Sequence, residues 1–268
     1  MKLDLRYQNL TSPEGITFTD GLTSLILYGN QLTSLPPLPP SLTELDCSAN
    51  RLTSLPPLPP SLIRLYCDFN QLTSLPLLPQ SLTVLECRDN KLDRLPSLPP
   101  TLTKLDCCVN QLENLPPLPG SLEKLYCGGN QLTILPPLPQ SLRKLRCWRN
   151  RLTSLPPLPK SLTLLTCRIN ELTVLPPLPL YLKWLFCDRN KFPDHYYENT
   201  VLKPIEELRI IIRVDRLRKA RSILIKLISD KAARNIQRVW KQYWLEPYHD
   251  ARLGYPVSRY LLHYKEEL

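Results

Sequence analysis

Glycine is scarce in this chain, with 7 among 268 residues. That excludes a collagen-like triple helix, which needs glycine at every third position. No glycine-rich loop able to cradle phosphates is present either. Histidine occurs three times, at His195, His249 and His263, and none has a metal-ligand spacing such as H-E-x-x-H. Cysteine never forms a C-x-x-C pair. No stretch reaches the roughly 18 uninterrupted apolar residues of a membrane span. The start, Met1–Leu10, carries Lys2, Asp4 and Arg6 and no apolar run, so no secretory signal is expected. Nine cysteines are an odd number in such a chain, which predicts reduced thiols and a cytoplasmic location. Acids are the minority charge, 24 against 34 bases, for a net +10.

Proline is what the chain has instead. Its 30 prolines are about twice the usual ~5% share. Yet 43% of residues are apolar, too many for a disordered tail. Each interior proline would cost a helix ~3 kcal/mol, so an ordered, non-helical framework is expected. Writing the chain in rows of twenty from Gly21 shows that framework. Asparagine recurs at Asn30, Asn50, Asn70, Asn90, Asn110, Asn130, Asn150, Asn170 and Asn190. Cysteine recurs at Cys47, Cys67, Cys87, Cys107, Cys127, Cys147, Cys167 and Cys187, with Leu27 in the first row. The consensus is S-L-x-x-L-x-C-x-x-N-x-L-T-x-L-P-x-L-P-x, and 25 of the 30 prolines fall between positions 36 and 179.

The period dictates geometry. In S-L-T-E-L-D-C, Leu42, Leu45 and Cys47 face inward while Glu44 and Asp46 point out. One such strand cannot bury its apolar edge alone, but copies stacked ~4.8 Å apart share a core. Asparagine at a sharp bend can bond backbone groups its own row leaves open, and stacked copies extend this as a ladder. The L-P-P-L-P leg favours extended polyproline II, so helices are not expected there. The cysteine column is read as a repeated buried slot; Cys108 lies in an outward column, as a reactive thiol or a drifted surface residue.

These rows resemble the leucine-rich repeat family, L-x-x-L-x-L-x-x-N-x-L, with cysteine in the third apolar slot. The twenty-residue length and L-P-x-L-P half resemble the short repeats of Gram-negative bacterial effectors. The resemblance covers about Leu22–Phe192. It implies a curved parallel-sheet solenoid whose concave face binds protein. The organisation expected is a degenerate N-terminal cap (1–20), repeats (21–192) and a C-terminal helical cap (193–268).

On the outward columns acids gather early, at Glu44, Asp46, Asp68, Glu86 and Asp106. Bases and aromatics gather later: Lys104, Lys124, Tyr126, Lys144, Arg146, Trp148, Arg168, Trp184 and Phe186. Aromatics beside arginine are the usual ingredients of an interface hot spot. The expectation is that these nine residues hold an acidic protein partner, against a solvated face with Trp184 and Phe186 under the cap.

After Phe192 the period ends. Between Lys203 and Lys241 there are 12 bases and 4 acids. Pro204 suits a first helical turn, and Ile205, Leu208 and Ile212 begin a helical apolar stripe. Ile236, Gln237, Trp240 and Lys241 resemble the first half of an IQ motif, which implies a calmodulin-like partner; Gln242 and Glu246 depart from its second half. The basic face also suits nucleic acid or anionic membrane. The I-Q-x-x-W-K helix and Tyr-rich end resemble tails of giant DNA virus proteins, which implies host cytoplasm or a virion. Ubiquitin-ligase domains follow similar repeats in some effectors, but here the segment after the repeats has no cysteine nucleophile. No enzyme, no cofactor and no metal are expected. Three classes stay open: a protein-binding module, a structural component of a viral particle, and a calmodulin-like light-chain ligand.

Overall fold

The computed structural model of the chain describes residues 1–14, 18 and 21–193, and the backbone of Arg209–Ile210. Each row from Gly21 on contributes one three-residue strand, with one strand before the rows and a two-residue strand after them. These are β1 (Lys2–Asp4), β2 (Ser24–Ile26), β3 (Glu44–Asp46), β4 (Arg64–Tyr66), β5 (Val84–Glu86), β6 (Lys104–Asp106), β7 (Lys124–Tyr126), β8 (Lys144–Arg146), β9 (Leu164–Thr166), β10 (Trp184–Phe186) and β11 (Arg209–Ile210). They form one parallel sheet in chain order. Register follows the repeat: Leu25 pairs with Leu45, Leu45 with Leu65, and so on to Leu165 with Leu185.

Why the rungs stack follows from the alternation of side chains. Leu42, Leu45 and Cys47 are buried, as are their counterparts in each row, while Glu44 and Asp46 are half-buried on the other face. Each fully buried leucine is worth about 2 kcal/mol of transfer free energy, but only when its neighbours exist. The proline-rich return legs contain no helix among the described residues. They are anchored by hydroxyls: Ser61 Oγ donates to the Leu42 carbonyl at 2.7 Å, and Ser121 to Leu102 at 2.7 Å.

At the bend before each asparagine the backbone turns left-handed. Val109 and Ile169 have φ of 55° and 56°, unfavourable for β-branched residues. Cross-rung bonds hold them there: Val109 N–H donates to Gly128 O at 2.8 Å and Ile169 N–H to Asp188 O at 2.9 Å.

The N-terminal segment, expected as a degenerate cap, contributes a shortened terminal rung, with Leu3 paired to Leu25 and Gln8 in the place of asparagine. Within the C-terminal segment expected to be helical, Arg209–Ile210 pairs parallel with Trp184–Leu185, while Ile205, Leu208 and Ile212 lie outside the described residues. An open sheet edge offers unpaired backbone groups, and β-branched Ile210 suits a strand. The other C-terminal residues, including Ile236, Gln237, Trp240 and Lys241, lie outside the described residues.

Candidate functional site: the outward face of the sheet

The asparagines sit under the bends and tie each rung to its predecessor. Asn70 Nδ2 donates to Cys47 O at 3.1 Å and to Cys67 O at 3.2 Å, while its Oδ1 accepts Leu52 N–H at 2.9 Å. Asn50, Asn90, Asn110, Asn130, Asn150 and Asn170 repeat this triad, as does Asn190 at the last rung. Beneath them Cys47, Cys67, Cys87, Cys107, Cys127, Cys147, Cys167 and Cys187 form a buried column of free thiols. Burial pushes these thiols up, Cys147 and Cys187 to about 12. A thiolate there would be an uncompensated charge in an apolar core.

Cys108 corrects the sequence expectation. It is 3% exposed, so it is neither a surface residue nor an activated thiol. Burial raises its pKa first, and the adjacent Asp106 carboxylate raises it further. Its column follows the strand where the chain turns, and Arg88 of the preceding rung is near enough to act on it electrostatically.

The acidic rungs of the outward face satisfy themselves. Glu44 meets Arg64 at 3.3 Å and accepts from Ser24 Oγ at 3.1 Å. Glu86, 8% exposed, meets Lys104 at 2.6 Å. Asp46 accepts Ser48 N–H at 3.1 Å, Asp68 accepts Arg88 N–H at 2.7 Å, and Asp106 accepts Cys108 N–H at 3.1 Å. Burial, then the charges of Glu86 and Asp106, push the Asp68 carboxyl well up; burial also raises Asp106.

The later rungs differ. Lys104, Lys124 and Lys144 stand in register on adjacent strands, as do Tyr126 and Arg146. The Arg146 guanidinium lies 4.9 Å from the Tyr126 ring centroid, and Lys104 Nζ 6.0 Å from it. Such stacking holds a cation without neutralising it. Lys124, Lys144 and Arg146 form no ion pair among the described residues. Trp148 is half-buried, its indole lying on Gly128, where a Cβ would collide with Cδ1, Nε1 and Cε2. Arg168, Trp184 and Phe186 are half-buried on the last rungs. Gly128 is the residue the sequence reading passed over; the one available signal was a glycine preceding a tryptophan in the same column.

A leucine-rich repeat model, "Leucine Rich repeats (2 copies)", matches residues 20–60. No curated protein matches the chain. Among solved structures, YopM of Yersinia pestis, a leucine-rich effector protein, is 36% identical with a TM-score of 0.62, covering 71% of this chain and 61% of its own. A Shigella effector LRR domain is 35% identical with a TM-score of 0.53, covering 58% of this chain and 73% of its own. The functional domain of InlJ from Listeria monocytogenes, which includes a cysteine ladder, is 30% identical with a TM-score of 0.59, covering 72% and 45%. This chain thus spans less than two thirds of YopM. Repeat, sheet register, asparagine triads and the Shigella likeness agree: the chain belongs to the leucine-rich repeat family.

Proposed function

We propose that the chain is a non-enzymatic interaction module that binds an acidic protein partner on the outward face of β6–β10. The observation carrying this reading is the asymmetry of charge. Acids on the early rungs are hydrogen-bonded, ion-paired or held toward the protonated form, whereas Lys124, Lys144 and Arg146 face outward without a carboxylate partner among the described residues. An uncompensated patch beside Tyr126 and Trp148 attracts an anionic surface and offers it apolar area to bury. The effector role of YopM and the Shigella protein supports reading this module as one that acts on another protein.

Crosslinking mass spectrometry in native extract tests it. Crosslinks from Lys104, Lys124 and Lys144 to an acidic protein are expected, and the triple variant Lys124→Glu, Lys144→Glu, Arg146→Glu should lose the crosslink from Lys104, whose amine it keeps. Unaltered capture by the triple variant overturns the reading.

A further inference from the structure

The direction in which a partner lies across the site is set by two spacings. We infer that the partner presents an extended acidic peptide running along β8, with carboxylates at alternate positions, and leaving the sheet over the bend at Arg149. This rests on the function proposed above and specifies its ligand.

The rung Ser141–Lys160 stands apart in the sequence. It carries six bases, Arg143, Lys144, Arg146, Arg149, Arg151 and Lys160, and no acid. Lys144 and Arg146 flank buried Leu145, so both project from the outward face. Along a strand, same-face positions recur about every 6.7 Å. Between strands, Lys124 and Lys144 are separated by about 4.8 Å. An extended peptide has the first repeat, not the second, because it is itself a strand. Carboxylates at alternate positions therefore meet Lys144 and Arg146 in step only when the peptide lies along β8. Laid across the strands they fall out of step after one or two contacts.

The end of the rung continues the strip. Trp148 covers Gly128 and presents a flat apolar surface after Arg146. Arg149 follows at the bend, exposed, in left-handed conformation with φ of 50°. It forms no ion pair among the described residues. Arg151 is set aside, since it already acts on Glu171 of the next rung. In the other direction along the sheet, β9 offers Leu164 and Thr166 at the equivalent positions, so the strip does not extend that way.

The test is fluorescence anisotropy with the full chain and two labelled peptides of equal length and net charge. One alternates Glu with Ser; the other has the same composition with its glutamates in one contiguous block, which spaces successive carboxylates about 3.3 Å apart on alternating faces when extended. Oligouridylate of similar charge is the third probe. The alternating peptide should bind about tenfold tighter than its isomer, and Arg149→Glu, checked for folding by circular dichroism, should weaken it about tenfold. Equal binding of the two peptides, tighter binding of oligouridylate, or an Arg149→Glu variant that binds the alternating peptide like the parent would each overturn the inference. If the peptides bind equally but the triple Glu variant binds neither, only the direction fails. If the triple variant binds both peptides like the parent, the proposed function fails with it.

Discussion

The indole of Trp148 rests on Gly128, and it can do so because position 128 carries no side chain. The same column holds Asp68, Arg88 and Cys108 on earlier rungs, any of which would lift the ring. The aromatic surface of the Ser141–Lys160 rung is thus shaped by an absence on the rung before it.

Gly128→Ala should displace the ring while leaving the fold intact, since the methyl meets a side chain rather than backbone. The alternating acidic peptide should then bind about tenfold or more weakly, the scale of a lost aromatic hot spot. Anisotropy titration beside a urea melt separates the two effects; a loss of stability with unchanged affinity would contradict this role.

Asn110→Ala should be among the most damaging single substitutions. It strips the acceptor from Leu92 N–H and the donor from Cys87 O and Cys107 O, at 3.0, 3.0 and 3.2 Å. Buried groups left without partners cost about 1–3 kcal/mol each, so a loss of roughly 3 kcal/mol or more is expected. Chemical denaturation measures it.

All nine thiols should resist labelling in the folded protein at pH 8 and react only after denaturation. They are buried, and desolvation holds them protonated. Ellman titration with and without denaturant reads this directly. One fast-reacting native thiol would point to Cys108 and contradict its burial.

Acid should help this protein before it harms it. The Asp68 carboxyl binds its proton more tightly when folded, because burial and two neighbouring acids disfavour its charge. The folded state therefore holds more protons than the unfolded state between the unfolded value near ~3.9 and the raised folded value. Across that window stability rises as pH falls, and the penalty returns as pH rises through the folded value. Asp68→Asn keeps an acceptor for Arg88 N–H and should flatten this segment of a plot of urea midpoint against pH.

The fold was legible because every row repeats the same physical instruction. Leu42, Leu45 and Asn50 recur without an insertion, so register needed no three-dimensional information. The site was legible only as columns. That Glu86 would reach Lys104, or that Asp68 would turn to the Arg88 backbone, depends on side-chain directions between rungs, which a column does not carry. Cys108 was misread for the same reason: an outward position at a turning backbone is still covered by its neighbours. The N-terminal rung was hidden because Gln8 replaces the marker asparagine, while Asn30 serves both Gln8 N–H and Leu10 N–H at 3.0 Å.

Each asparagine reaches back to the rung before it and none reaches further. An in-frame duplication or loss of one rung's codons would therefore leave every remaining triad intact. The reading surface can lengthen or shorten by whole units, and a new rung can drift in its outward residues while its inner ones stay fixed. A lineage carrying such a chain could change what it grips without having to reinvent how it folds.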